Sequence, residues 1–265
     1  MNGVGYEIRD RVAHIILDRP KHANAFNLET LEAVVEAART AERDEHVAVI
    51  VLRGAGKGFS AGHDLSGTRP DDVIADADLL TRSARLFLAL WDIDKAVVGQ
   101  VHGYCLGSAV DLTLACDLVI TADDTRFGLP AMRGAGGLPP LLGYPLVLGL
   151  RRAIQFFWIQ EDLSGREAVE WGLANLAVPE KLLAETAQRW AERIASMPPE
   201  NIRLSKRALH RAMDVLGFRA IVQTGAEFDA IAHWGPAGAA WREQVAKLGI
   251  SEAIRLRDEP FPTSS

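Results

Sequence analysis

Residues 96–121 read AVVGQVHGYCLGSAVDLTLACDLVIT, and they set the fold. The apolar run 96–101 reads as a buried strand and His102-Gly103 as a turn. Residues 107–116 follow as an apolar helix and 117–121 as a second strand. A strand passing through a glycine-bearing loop into a helix and on to another strand is the unit of an α/β layer architecture. The same order stands upstream, where VAVIVL at 47–52 leads into RGAGKGFSAGHDLSG at 53–67 and then a helix over about 76–91. Further back, residues 6–18 alternate and then run apolar (Val12, Ile15, Ile16, Leu17), which predicts two short strands turning near Asp10-Arg11. Arg19-Pro20 ends them. Asn27 then caps a helix whose apolar positions Leu28, Leu31, Val34, Val35 and Ala38 keep helical spacing, with Glu29 and Glu32 near its positive end.

The last third changes character. From about residue 179 only helical periodicity remains: Leu182, Leu183, Ala187, Trp190 and Ile194, then 202–213, then 216–231. No Ser/Gly linker separates this part, so a helical tail packed on the core or on another subunit is expected. The 265 residues are 48% hydrophobic and 24% charged. That is enough to bury a large core, and it excludes disorder and fibrous repeats.

Acidic side chains outnumber basic ones 35 to 29, a formal charge of -6. This disfavours nucleic acid as a partner, because a phosphate backbone needs a basic face; a local basic patch remains able to hold a phosphorylated small molecule. Cys105 and Cys116 show neither CxxC spacing nor nearby histidines, so neither a disulfide framework nor a metal site is expected. The longest nearly apolar run, 141–150, is broken by glycine and proline and is far shorter than the roughly 20 residues of a membrane span. The start, MNGVGYEIRD, has no basic stretch followed by an apolar one. A cytoplasmic protein without membrane contact is expected.

Two glycine loops invite chemistry. Gly58-Phe59-Ser60-Ala61-Gly62 matches the GxSxG pattern of a nucleophilic serine, but that motif requires an immediately following helix, and here Pro70 and two aspartates intervene. A phosphate-binding P-loop also fails, because Gly56-Lys57 is followed by Gly58. What remains is close approach of backbone N–H groups to a ligand, or a plain surface turn. The second loop, 102–111, leads from a buried strand into an apolar helix, so N–H groups near Ser108 face outward at the helix's positive end and suit a developing oxyanion. Asp111 lies one turn along the same face. An acid in so apolar a helix is either functional, paired with an arginine, or at a subunit seam.

Together these loops carry a resemblance. FSAGHDL at 59–65 after VAVIVLRG at 47–54, followed by KAVVGQVHGYCLGSAVDLTLACDLVITADDTRFGLP at 95–130, is similar to the enoyl-CoA hydratase/isomerase (crotonase) superfamily. The likeness begins at Asp18-Arg19-Pro20 with Asn24-Ala25. It continues through GLRRA at 149–153 to LSGREAVEWGLANLAVP at 163–179.

The resemblance implies an α/β fold: a crotonase-like repeated ββα spiral core over 1–195 and a C-terminal α-helical trimerisation region over 196–265. It implies an acyl-CoA thioester substrate, with CoA part of the substrate and no separate cofactor, and a homotrimer or a dimer of trimers. The thioester oxygen would be held by the backbone N–H groups of His63 and Ser108, which stabilise an enolate; losing one such donor typically costs about 10²-fold or more in rate. The CoA moiety would lie across Lys21, His22 and Ala23 and along Ala61, His63, Asp64, Leu65 and Ser66, with Lys21 and Lys57 available to its phosphates. Gly107, Ser108, Ala131 and Arg133 complete the expected substrate contacts. Phe87, Leu90 and Trp91 are candidate acyl-pocket walls, or simply core.

One departure stands out. Hydratases of this family use two glutamates; the first matches Asp111, one methylene shorter, and the second matches Ala131, which transfers no proton. General acid and base groups are worth roughly 10²- to 10⁴-fold each. Relatives with an aspartate in the next loop, such as aroyl-CoA dehalogenases and dienoyl-CoA isomerases, have their match at Gly137 and Pro139. Arg133, the only charged side chain of that loop, is left to pair with Asp111, to meet an anionic acyl chain, or to form a surface salt bridge. His22, His102 and His233 show no partner pattern. The open readings are a hydratase with Asp111 alone or with a carboxylate recruited from the helical tail, an isomerase or malonyl-type decarboxylase, a non-catalytic acyl-CoA binder, and, last, a serine hydrolase using Ser60.

Overall fold

The computed structural model describes residues 3–67, 70–134, 137 and 143–261. Strands β1 (Val4–Arg9) and β2 (Val12–Leu17) form a hairpin, paired Val4 to Leu17 and Arg9 to Val12. Its two-residue turn puts Asp10 and Arg11 at φ 45° and 65°, the left-handed geometry that matches the twist of tightly joined strands. Asn27 caps α1 (Leu28–Arg43), its Oδ1 accepting the Thr30 N–H at 3.0 Å.

β3 (Val49–Gly54), α2 (Val73–Trp91), β4 (Ala96–Val101), β5 (Tyr104–Leu106), α3 (Ser108–Leu114), β6 (Leu118–Ala122) and β7 (Arg126–Gly128) follow. Helix α2 begins three residues before its expected start because Asp72 Oδ1 accepts from the N–H groups of both Ile74 and Ala75 at 2.8 Å. The remaining elements are α4 (Tyr144–Leu148), α5 (Leu150–Trp158), α6 (Gly165–Trp171), β8 (Leu176–Val178), α7 (Glu180–Ala195), α8 (Pro199–Val215), α9 (Phe218–Trp234), α10 (Pro236–Leu248) and α11 (Ile250–Asp258).

The main sheet runs β1-β2-β3-β4-β6-β8, parallel after the first hairpin. Its inner strands β2, β3, β4 and β6 are buried on both faces, which is why they read as nearly unbroken apolar runs. Val12, Val49, Val51, Val98 and Ile120 pack with Leu183, Ala187 and Ala191 of α7, while the alternate residues Ala13, Ile15, Ile50, Leu52 and Val97 join the larger core with α1 and α2. Each fully buried branched side chain contributes roughly 1.5–3 kcal/mol. The expected α/β core and C-terminal helices are both present.

A second, shorter layer lies over the strand ends. β5 pairs in parallel with β7, and single bridges join Phe26 to His63, Ser60 to Cys105, and Phe127 to Leu163. These pairings bring together the segments around Phe26, Ser60 to His63, Cys105 and Phe127. Phe87, Leu90 and Trp91 are buried in the core; Phe87 meets the ring of Phe26, and Trp91 stacks on His210 and Phe218 and borders a cavity shared with Asp92, Lys206 and Arg219. Among the described residues no helix is long and apolar enough to cross a membrane.

Candidate functional site

The first half of the site is a clasp around Asn24. Its buried side chain accepts from the Arg19 N–H at 2.9 Å and donates to the carbonyls of Ala55 at 2.7 Å and Gly58 at 2.9 Å. The segment carrying Lys21, His22 and Ala23 is thereby pinned to the first glycine loop. Lys21 and His22 lie exposed in a 3-10 turn (Pro20–His22), beside the turn that carries Gly56 and the exposed Lys57. Ala61 N–H donates to the carbonyl of Ala23, and Arg19 pairs with Asp64 at 3.0 Å. Hydrogen bonds from the Ser66 hydroxyl and N–H, together with Arg19, hold the Asp64 carboxyl below its ordinary range against a smaller opposing effect of burial. Leu65 and Ser66 stand exposed just beyond.

Ser60 is structural. Its buried hydroxyl donates to the Asn24 carbonyl at 2.8 Å and accepts from Gly62 N–H at 3.0 Å. No helix follows until Val73, so the geometry of a nucleophile elbow is missing.

The second half comes from β5 and α3. Leu106 N–H donates to the Ser60 carbonyl at 3.0 Å, which sets the two glycine loops side by side. In the Phe26–His63 bridge, Phe26 bonds the carbonyl of Gly62 and the N–H of Asp64, so the amide of His63 points to the opposite side. Between His63 and Ser108 sits Gly62, at φ +88°. A Cβ on it would run into the Leu106 carbonyl and lie 3.1 Å from Ser108 N, so only glycine permits this approach. Ser108 opens α3, and no carbonyl among the described residues takes its N–H. Its buried Oγ likewise has no hydrogen-bond partner among them.

Asp111 follows one turn along α3 with no exposed surface. Tyr144 Oη–H donates to Asp111 Oδ1 at 2.8 Å. Burial first, then the Asp111 charge, pushes the Tyr144 phenol far above its ordinary value, so it donates rather than ionises. Sequence patterning misses Tyr144, which stands beyond Gly137 and Pro139 and is hidden among apolar neighbours.

β7 delivers Ala131. Gly107 N–H donates to the Gly128 carbonyl at 2.8 Å, and Ala131 comes three residues later in a second 3-10 turn (Pro130–Arg133). Arg133 does not reach Asp111. Its guanidinium, 5% exposed, pairs with Asp162 at 2.9 Å, donates to the Gln160 carbonyl at 2.9 Å and approaches Asp258 at 3.7 Å. Its charge is thus met by acids of later segments and not by Asp111. Gly137 is described, and Pro139 lies outside the described residues.

A cluster formed by α2 and α9 is likewise invisible to sequence patterning. His233 Nδ1 lies 3.0 Å from Asp76 Oδ2, and Nε2 lies 3.4 Å from Asp229 Oδ1. Trp234 Nε1–H donates to Asp76 Oδ2 at 3.1 Å. Both carboxylates are buried. The acid–imidazole spacing i, i+4 of Asp229 and His233 is the one signal that could have pointed to it. Among the described residues no group of histidine, cysteine, aspartate or glutamate has the arrangement to hold a metal ion.

Residues 7–231 match the sequence model of the enoyl-CoA hydratase/isomerase family. The chain is 31% identical to a short-chain-enoyl-CoA hydratase of Clostridium acetobutylicum, over 80% of its own length and 83% of the relative's. It is 32% identical to the 1,2-epoxyphenylacetyl-CoA isomerase of Escherichia coli, over 76% and 79%. A crystal structure of an enoyl-CoA hydratase from Mycobacterium smegmatis superposes with a TM-score of 0.92 at 34% identity, covering 98% of this chain and 94% of that one.

Proposed function

The chain belongs to the enoyl-CoA hydratase/isomerase family, and from that membership we propose an enzyme that takes an acyl-CoA thioester through an enolate. The observation that carries this reading is the approach of Ser108 N to Gly62, with Asp111 one turn further along the same helix. The N–H groups of His63 and Ser108 hold the thioester oxygen as charge builds on it, and such preorganised donors act most strongly where water is excluded. Asp111 moves the proton. The exposed Lys21 and Lys57 receive the CoA phosphates, and Ala61, Asp64, Leu65 and Ser66 border the path between.

Ala131 offers no acid at the second position, which narrows the chemistry. Hydration needs one group to activate water and another to deliver a proton. Isomerisation can pass through a dienolate with one carboxylate taking and returning the same proton, and loss of carbon dioxide from a malonyl-type thioester gives the enolate with no proton abstracted, so the single carboxylate favours them as the second reading. A serine hydrolase is disfavoured by the two hydrogen bonds that occupy Ser60.

The test is a panel of enoyl-, hydroxyacyl- and malonyl-type CoA thioesters, followed by calorimetry for affinity and mass spectrometry for product. Affinity with a single product class is expected. Affinity without product would make this a binding protein, and no affinity for any thioester would overturn the proposal. Light scattering is expected to show a trimer or a dimer of trimers, by likeness to the family.

A further inference from the structure

We propose that the side-chain hydroxyl of Ser108 is a third donor to the thioester oxygen, beside the backbone N–H groups of His63 and Ser108; this rests on the enolate reading above. Ser108 is 7% exposed, and its buried Oγ has no hydrogen-bond partner among the described residues. A Cβ placed on Gly62 would lie 3.1 Å from Ser108 N and 3.3 Å from Ser108 Oγ. Amide and hydroxyl of Ser108 thus both border Gly62, where the two glycine loops meet and from which the chain passes to His63. The polar groups of the surrounding backbone are engaged elsewhere. Gly62 N–H goes to Ser60 Oγ and the Gly62 carbonyl to Phe26 N–H, while the Ser60 carbonyl takes Leu106 N–H and the Gly107 carbonyl takes Val110 N–H.

The fold has no use for this hydroxyl. Serine serves a helix start as its N-cap, where the side chain accepts from the second or third amide. Here Gly107 holds that place at φ 56°, no side chain caps the helix, and Ser108 is the first helical residue. Alanine forms helix better than serine, and a hydroxyl buried without a partner lowers stability. Ser60, on the facing loop, is the contrast: its hydroxyl makes two hydrogen bonds and is structural. Ser108 therefore carries a cost to the fold that an oxygen acceptor of the substrate removes.

The hydroxyl acts without losing its proton. As Asp111 takes the α-proton, the C–H electron pair becomes the carbon–carbon π bond and the carbonyl π pair passes to oxygen. The Ser108 O–H bond stays intact, and the hydrogen bond it donates strengthens as that oxygen gains charge. Oγ turns about the Cα–Cβ bond between staggered positions, and no hydrogen bond among the described residues opposes its turning toward an oxygen seated on the Ser108 amide. With no acid at Ala131 to quench the enolate, its charge has to be held by hydrogen bonds, and the third donor adds to that hold.

The probes are acetoacetyl-CoA, which ionises to an enolate with its own ultraviolet band, and S-butyl-CoA, a thioether without the carbonyl oxygen. For Ser108→Ala, which keeps the backbone amide, the ratio of bound enolate to bound keto form at a fixed pH should fall about 10- to 10²-fold. Exchange of the α-hydrogens of butyryl-CoA in D2O should slow by the same factor, with S-butyl-CoA affinity unchanged and a melting temperature no lower than wild type. An unchanged enolate ratio, an equal loss of S-butyl-CoA affinity, or a lower melting temperature without the loss of enolate overturns the proposal. Should Ser108→Ala fail to fold, Ser108→Cys, whose S–H is a weak donor, is measured in the same way, and an unchanged enolate ratio overturns it. A wild type that favours the bound enolate over the free one, matched by both variants, removes the role of the hydroxyl alone. A wild type that binds neither probe, or binds acetoacetyl-CoA without favouring its enolate, removes the enolate reading and this inference with it.

Discussion

Asp111 and His233 sit in two differently built regions. Around Asp111, a carboxylate with no exposed surface meets the phenol of Tyr144 and lies one turn behind the Ser108 amide. Around His233, carboxylates from two helices converge on one imidazole, Asp76 being 157 residues away in sequence. The first region is assembled by consecutive residues of one strand–loop–helix unit. The second exists only because α9 packs along α2. Local chain geometry thus builds the first region, the one proposed to bind the oxyanion, and tertiary packing alone builds the second.

The sharpest way to break this contrast is Asp111→Asn, which should lower kcat by about 10²- to 10⁴-fold with acyl-CoA affinity retained. Ser60→Ala should leave kcat nearly unchanged while lowering stability by about 1 kcal/mol, because its hydroxyl bridges Asn24 and Gly62. Steady-state kinetics on the two variants decides; a reversed sensitivity would restore the serine to the chemistry.

Next in size is Asn24→Ala. Removing its side chain leaves the carbonyls of Ala55 and Gly58 and the Arg19 N–H without their partner. Each such buried group costs about 1–3 kcal/mol, so a total of roughly 2–4 kcal/mol is expected in urea unfolding after water compensates in part. A loss well under that would mean the first glycine loop holds its shape without the clasp.

A smaller effect is expected for Tyr144→Phe, about tenfold in kcat, the worth of one hydrogen bond to a charged group. Burial and Asp111 keep the phenol protonated well above its ordinary range, so the wild-type rate should show no phenol titration up to about pH 10. A basic limb present in the wild type and absent from the variant would contradict this.

The smallest concerns His14, far from the site. Burial, with Arg53 adding repulsion, lowers its pKa below the ordinary value. The folded state thus prefers the neutral ring. Stability from this group is full above about pH 6.5, the unfolded value, and is lost as pH falls through the lower folded value. Melting temperature should therefore drop less steeply on acidification in His14→Phe than in the wild type.

The strands were legible because burial on both faces leaves continuous valine and isoleucine runs, and the Asn27 cap because it is local. The Asp72 cap and the three-residue β5 were missed: one sits among several aspartates, and the other is stabilised by partners at Ser60 and Arg126 to Gly128 rather than by its own composition. The glycine loops and Asp111 could be read because a carboxylate in an apolar helix is too costly to bury without a use or a partner. Arg133 could not be placed, since its partners Asp162 and Asp258 stand on later segments. Tyr144 and the Asp76–His233 contact escaped for the same reason: pairs distant in sequence leave no period.

The bracing of Arg133 also has a bearing on how the protein is made. Synthesis runs from the N-terminus, so the glycine loops, Asp111 and the turn bearing Ala131 all emerge before α9 and α11. The guanidinium beside that turn gains Asp258, and the Phe261 ring beneath it at 5.3 Å, only when the last helix has left the ribosome. In a nascent chain, therefore, the turn bearing Ala131 receives this part of its bracing only after α11 has emerged and docked.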